Sequence, residues 1–319
     1  MQQEGRLIRF IRALYKNPRL TIRADGIKNE CRFEVGLRQG CPLSPTLFNV
    51  FVNDVFEGLG EGGIEENGAG LAFADDLVVL GATKEILRKA VVQVELWASK
   101  WEMEINPAKC GVLSFGSSAE VKVGIVTQQG PIPDLESYTY LGVEITKTLS
   151  RMAMAERRRK KGLECLFMLE KKLRSPSLPI GHKTLLIRGI VMPTVTYGAE
   201  IFGSTGVVTK GSQGVINLAM KMVAGGNCAL TAVRRDLGIL PVQAIAAERQ
   251  KRAWGKFPYL KTVGARIFDE KRVLPYGWTG RTKRELKKRT GRDTTWELLE
   301  SKDTTESWAR YQKLGLKRS

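Results

Sequence analysis

Apolar and polar positions follow two regimes along this chain. Up to about residue 148 short helical and short strand-like stretches alternate; beyond it the spacing is helical almost throughout. Leu7, Ile8, Ile11, Leu14 and Tyr15 fall on one face of a helix predicted over 5–16, which Asn17-Pro18 ends. Two strands are expected next, Leu20–Ala24 and Ile27–Val35. Asp25-Gly26 between them favours the positive φ of a two-residue hairpin turn, which explains Asp25 structurally. Ser44 is placed to cap a helix and Pro45 to occupy its first position. That helix is expected to run to about Leu59, burying Leu47, Phe48, Phe51, Val55 and Phe56, with a glycine-rich linker at 58–63.

Leu71-Ala72-Phe73-Ala74-Asp75-Asp76-Leu77-Val78-Val79-Leu80 places two acids between two apolar runs, the pattern of two buried strands joined by a tight acidic turn. A helix from Lys84 to about Trp101 carries Leu87, Ala90, Val91, Val94, Trp97 and Ala98 on one face. Asn106-Pro107 turns the chain, and a strand at about 110–115 follows. A stretch rich in Gly, Ser and Gln separates it from another strand, Tyr138–Ile145. Helices are then expected at about 150–174, 182–203 with a kink at Pro193, 212–224 and 240–255. From Arg281 the chain is charged and turn-rich, and is expected to be partly disordered. The fold class is therefore α+β, with an antiparallel-sheet part ahead of an α-helical part.

Charge sharpens this division. The chain has a net charge of +18 and a pI near 9.8. Residues 1–148 hold 16 Lys+Arg against 19 Asp+Glu, a net of −3; residues 149–319 hold 35 against 14, a net of +21. Such asymmetry points to a polyanionic partner, nucleic acid above all, with a solvated basic surface as the bland alternative. The 319 residues suffice for about two domains with sizeable cores. Cys31, Cys41, Cys110, Cys165 and Cys228 are scattered, and His182 is the single histidine, so neither a disulfide framework nor a zinc knuckle is supported. No apolar run reaches a membrane span, and the first residues lack the apolar core of a secretion signal. A reduced, intracellular protein, nuclear or cytoplasmic, is expected.

Asp75 and Asp76 carry the sharpest chemical signal. Two carboxylates about 4 Å apart repel by roughly 4 kcal/mol at an effective dielectric near 20. A divalent cation turns that repulsion into attraction, so the pair is a candidate Mg²⁺ (or Mn²⁺) site; taken alone, a solvated Asp-Asp turn is the favoured reading.

The neighbouring motifs decide between these. Arg38-Gln39-Gly40-Cys41-Pro42-Leu43-Ser44-Pro45-Thr46-Leu47-Phe48-Asn49, then Phe73-Ala74-Asp75-Asp76, then Trp97 through Asn106-Pro107-Ala108-Lys109, then Tyr140-Leu141-Gly142-Val143 resemble, in this order, the blocks of reverse transcriptases of non-LTR (LINE-like) retrotransposons. Tyr197-Gly198-Ala199-Glu200 and the basic helices resemble the region that follows. The resemblance covers roughly residues 5–260 and implies a partial polymerase palm over 1–148 and a helical thumb and connection over 149–260; the basic tail over 261–319 lies outside it. It implies RNA-directed DNA polymerase activity with Mg²⁺, dNTPs, an RNA template and a DNA primer. Asp75 and Asp76 would hold metal, and Lys109 would neutralise or protonate the leaving pyrophosphate. Arg38, Gln39, Gly40 and Phe73 would lie at the template–nucleotide pair; Tyr140 and Gly142 would position the primer end; and Arg157, Arg158 and Lys161 would grip a duplex backbone.

The same resemblance implies another aspartate, on a strand upstream of the first helix. Glu4 precedes that helix without an apolar strand to present it, and Asp54 lies within a helix. The chain thus resembles a reverse transcriptase cut off at its start, with an incomplete metal cage and an uncovered sheet edge beside the acidic hairpin. Three functions follow: an incomplete polymerase copy, a non-catalytic RNA- or DNA-binding remnant, and an intron-maturase-like RNA-binding protein, for which no distinct splicing domain is identifiable.

Overall fold

Tight turns organise the β structure. In a computed structural model residues 5–16, 19–32, 36–57, 59, 68–116, 122–226, 228–257 and 277–290 are described. Expectations for Glu4, for residues 33–35, for the 58–63 linker apart from Leu59, and for the tail apart from 277–290 lie outside them. The chain divides into two compact units, one of residues 1–110 and 123–133, the other of residues 111–122 and 134–319. The division therefore falls before residue 148. Among the described residues the strands form four separate antiparallel hairpins rather than one sheet.

In the first unit, α1 (Arg6–Tyr15) precedes β1 (Arg19–Ala24) and β2 (Ile27–Arg32), which pair with Ala24 opposite Ile27. Asp25 and Gly26 both have positive φ, 50° and 82°, as a two-residue hairpin turn requires. Helix α2 (Ser44–Phe51) is shorter than expected and tightens into a 3₁₀ turn at Val52–Asp54. Asn53 and Asp54 compete with helical backbone bonding. Trp97 Nε1 donates to Asp54 Oδ1 at 2.7 Å, fixing the turn. Next come β3 (Ala69–Phe73), β4 (Asp76–Leu80) and α3 (Lys84–Lys100), whose Thr83 cap accepts from the Ile86 amide. A short hairpin not expected from the pattern, β5 (Ile125–Thr127) with β6 (Gly130–Ile132), completes the unit.

Burial here is thin. Ala90, Val94 and Ala98 of α3 are buried with Val52, Val55 and Ala69. The expected apolar face of α1 is open, with Leu7 65% exposed, and the β3 strand expected to be buried leaves Leu71 41% and Phe73 62% exposed. Hairpin β3–β4 has no third strand among the described residues.

The second unit begins with an isolated bridge between Val112 and Asp134 in place of the strand expected at 110–115. The strand expected over Tyr138–Ile145 is a hairpin, β7 (Ser137–Tyr140) and β8 (Val143–Thr146). Leu141 and Gly142, with φ of 45° and 75°, turn the chain between them. Helix α4 (Arg151–Arg174) follows, capped by Ser150. The helix expected over 182–203 is three pieces: α5 (Ile180–Leu186), α6 (Met192–Thr196) and α7 (Ala199–Phe202). A π turn at Ile187–Val191 precedes Pro193, which has no N–H to give, and Gly198 breaks the helix at φ 77°.

Helices α8 (Gly206–Ala224), α9 (Leu230–Asp236) and α10 (Val242–Lys256) complete a core. Leu166, Leu173, Ile187, Val191, Val195, Ile216 and Met220 are shielded from solvent in it. Gly162 permits a close approach: a β-carbon there would lie 2.3 Å from Val195 Cγ1. The charged tail is ordered where it is described. Trp278–Thr290 is a helix, α11, with Thr282 and Leu286 buried.

Candidate active site

The acidic pair sits at a hairpin tip. Phe73 pairs with Asp76, leaving Ala74 and Asp75 as the turn residues. Ala74 has φ 53°, a left-handed conformation that a glycine adopts at no steric cost. Both aspartates are exposed. The hairpin's base is held by absent side chains. A β-carbon on Gly70 would lie 2.2 Å from the Phe56 ring, and one on Gly81 2.7 Å from the Leu87 amide, so Phe56 and the start of α3 close against β3 and β4. The result is a rigid support that presents two adjacent oxygen-donor residues to solvent. Among the described residues no three His, Cys, Asp or Glu gather as a metal site.

The Arg38-Gln39-Gly40 loop is fixed by a closed ring of hydrogen bonds that begins and ends on Arg38. The Arg38 amide donates to Tyr15 Oη at 3.4 Å, and Ser44 Oγ donates its single proton to the Arg38 carbonyl at 2.7 Å. Tyr15 Oη therefore donates to Ser44 Oγ across the remaining 3.3 Å. Ser44 thus closes the loop and does not cap α2, whose N-cap is Leu43 without a side-chain bond. Gly40, at φ 78°, lets the loop turn, and Gln39 and Gly40 are exposed while Arg38 is half-buried. The Leu43 backbone N–H, with help from the Ser44 backbone N–H and the Arg38 charge, holds the Cys41 thiol below its ordinary range. Tyr15 was readable only as part of an apolar helix face; its hydroxyl's partners lie 23 and 29 positions away.

Lys109 is exposed at the end of a 3₁₀ turn, Pro107–Lys109, that Asn106 Oδ1 caps by accepting from the Ala108 amide. The acidic tip, the Gln-Gly loop and this turn are three separate elements of the first unit. The remaining candidates belong to the second unit.

There, Gly142 lies in the β7–β8 turn and is packed from one side. A β-carbon on it would lie 3.2 Å from Arg158 Nη2 and 3.6 Å from Tyr197 Cε1. Tyr197 Oη donates to the Leu141 carbonyl at 2.8 Å, and the Arg158 guanidinium stacks 4.7 Å from the Tyr197 ring centroid. Burial, and then the neighbouring Arg157, lowers the pKa of Arg158. Arg157 pairs with Glu144 at 3.3 Å, Arg159 with Glu156 at 2.7 Å and Lys161 with Glu164 at 2.9 Å. The Ser137 hydroxyl, then the Thr139 hydroxyl and the Arg157 charge, hold Glu144 below the ordinary carboxylate range. Arg157 and Arg158 are thus engaged with β8 and Tyr197, while Arg159 and Lys161 pair along the solvent-exposed surface of α4.

Comparison with known proteins agrees with the motif order. Residues 5–145 match the family model "Reverse transcriptase (RNA-dependent DNA polymerase)". The chain is 25% identical over 211 residues, 62% of its length, to the RNA-directed DNA polymerase from mobile element jockey of Drosophila funebris, of which it covers 22%. It is 26% identical over 57% of its length to the jockey polymerase of Drosophila melanogaster, covering 21% of that protein. It is 34% identical over 42% of its length to the Pol polyprotein from the type-1 retrotransposable element R2 of Nasonia vitripennis, covering 14% of that protein. The chain therefore spans about a fifth or less of the length of these relatives. No solved structure matches. Among the described residues no helix is long and apolar enough to cross a membrane. Residues 5–145 are thus similar to the reverse transcriptase family, and the chain to RNA-directed DNA polymerases of non-LTR retrotransposons.

Proposed function

We propose that the chain is a portion of a template-directed DNA polymerase, with the first unit as part of the palm and the helices from α4 onward as thumb and connection. The observation that carries this reading is the exposed Asp75-Asp76 tip, held by Gly70 and Gly81 contacts inside the segment that matches the family. Two carboxylates are the hard oxygen donors that Mg²⁺ or Mn²⁺ takes, and among the described residues no third donor joins them. The donor chemistry fits the cation, and a further carboxylate from outside the described residues would complete the donor set.

The chain's own residues bind and position in this reading. Gln39 offers an amide donor and acceptor, and Gly40 a bare backbone, to the template–nucleotide pair, with Arg38 at a phosphate and Phe73 beside the acids. Lys109 Nζ carries the proton that neutralises the departing pyrophosphate. Tyr140 and Gly142 set the primer end. RNA template, DNA primer and dNTPs are the substrates.

Primer extension on an RNA template with purified protein and Mg²⁺ or Mn²⁺ tests this. Incorporation abolished by Asp75→Ala is the expected result. The incomplete donor set favours one second reading, a non-catalytic nucleic-acid binder. No incorporation with either metal, together with salt-sensitive RNA binding, would replace the first reading by the second.

A further inference from the structure

Two hairpins of this chain close with the same kind of two-residue turn, and they are built differently. In β1–β2 the turn is Asp25-Gly26, with φ of 50° and 82°. In β7–β8 it is Leu141-Gly142, with φ of 45° and 75°. Aspartate adopts the left-handed conformation readily, whereas a leucine does so only under strain. The surroundings differ in the same sense. A β-carbon on Gly26 would meet nothing within 4 Å, whereas one on Gly142 would lie 3.2 Å from Arg158 Nη2 and 3.6 Å from Tyr197 Cε1. The Leu141 carbonyl accepts from Tyr197 Oη at 2.8 Å. The first turn holds itself; the second is held from outside in a conformation that its sequence disfavours. Backbone strain of this kind persists only where the surrounding structure over-determines it, and it collects at sites whose geometry matters.

The holder is itself anchored in the helical unit. The guanidinium of Arg158, a half-buried residue of α4, stacks 4.7 Å from the Tyr197 ring centroid. Thr196, next to Tyr197, is fully buried, and its carbonyl accepts from Arg249 of α10 at 2.7 Å. A β-carbon on Gly198 would lie 3.4 Å from Val143 Cγ2, so the chain after Tyr197 also lies against β8. Arg157, beside Arg158, pairs with Glu144 of β8, whose Oε2 accepts from Thr139 Oγ1 of β7 at 3.0 Å. Consecutive arginines of α4 thus serve two parts of one hairpin: Arg157 its strands and Arg158, through Tyr197, its turn.

We infer that Tyr197, braced by Arg158, is a positioning residue for the primer end: its hydroxyl holds the strained Leu141-Gly142 turn in place, and it acts on the nucleic acid only through that turn. This rests on the reading of Tyr140 and Gly142 as the residues that set the primer end. Tyr197→Phe isolates the role, since it keeps the ring and the Arg158 stack and removes the bond to the Leu141 carbonyl. Leu141→Asn isolates the strain, since asparagine tolerates the left-handed conformation.

Two measurements on the full chain test the inference. One is amide exchange in the β7–β8 turn. The other is the fluorescence of a DNA primer on an RNA template, with 2-aminopurine either as the 3′-terminal base or at an internal position. Tyr197→Phe should speed exchange of the turn amides by about fivefold, the loss of one hydrogen bond. It should also weaken the terminal probe's response to binding and leave the internal probe and the affinity unchanged. The double variant Tyr197→Phe/Leu141→Asn should recover both readouts. Arg158→Lys, which keeps the charge and loses the planar stack, should give a weaker form of the Tyr197→Phe loss with an unchanged salt dependence of binding. A duplex that does not bind, or a terminal probe silent on binding to the wild type, would overturn the primer-end reading and the proposal with it. A responsive terminal probe or turn exchange that Tyr197→Phe leaves unchanged would overturn the proposal alone. Loss without recovery in the double variant would overturn it too, since Tyr197 would then meet the nucleic acid directly.

Discussion

In the helical unit Leu166, Ile187, Val195 and Ile216 are wholly buried, whereas in the motif-bearing unit Leu7, Phe10 and Phe73 stand mostly in water. The two units keep their shape by different means. The helical unit has a continuous core. The other relies on local chemistry: the Asp25-Gly26 turn, the hydrogen-bond ring through Tyr15 and Ser44, the Trp97–Asp54 bond and glycines against which Phe56 and α3 close. The exposed acidic tip and Gln-Gly loop and the larger buried apolar core thus occupy different units of this chain, so substitutions in them should fail in different ways.

The largest contrast is expected between Leu166→Ala and Phe73→Ala. Removing a fully buried leucine from α4 should cost about 3–5 kcal/mol, and trimming the exposed Phe73 ring well under about 1 kcal/mol. Amide hydrogen exchange in each unit over a urea series reads both; equal losses would erase the distinction between the units. Gly162→Ala comes next. Alanine raises helix propensity by about 1 kcal/mol, yet its methyl must displace Val195, so a net loss of about 1–2 kcal/mol is expected. A stabilised variant would show that α4 and α6 can move apart.

Tyr15→Phe probes the other regime. It removes two of the three bonds in the ring around Arg38, worth about 1 kcal/mol locally, and should scarcely change the unfolding of the helical unit. Its readout is Cys41, whose thiol is held low by the Leu43 amide and Ser44 while burial pushes the Cys110 thiol up. Wild-type Cys41 should be alkylated at lower pH than Cys110, and in the variant its pH profile should move back toward that of an ordinary thiol. An unmoved profile would mean that the loop holds itself without Tyr15.

The smallest effect concerns pH. The Glu144 pKa is lowered in the folded protein, so its bonds to Ser137, Thr139 and Arg157 contribute stability near neutrality. That contribution disappears as pH falls through the lowered value. Amide exchange in β7–β8 should therefore quicken below the ordinary glutamate range in the wild type and lose that dependence in Glu144→Gln.

What could be read from the sequence follows the same divide. Asp25-Gly26, the acidic turn and the α3 face are local signals, and each is where the pattern places it. The Leu141-Gly142 turn was hidden because Leu141 suits a strand; the Tyr197 hydroxyl, 56 positions away, bonds its carbonyl. Helix α11 was hidden because its docking is mostly polar, through Thr282 and Glu285, and leaves no long apolar period. The inward commitment of Arg157 and Arg158 was equally invisible, since Glu144 and Tyr197 come from other elements. The Phe73 face was expected to be buried because alternation reports which side a strand would cover, not whether anything covers it.

The Arg151–Glu285 pair joins residues 134 positions apart, and Ser204 meets Glu285 across 81. Chains are synthesised from the N-terminus and fold in that order, and contacts so distant close late. α4, α8 and α10 emerge and pack well before α11 does. Throughout that interval Ser204 and Gln250 lack their final partners, and the Trp254 face that Trp278 covers is open. Completion of the helical unit therefore waits for α11, and the surface that receives it stays open until that helix is made.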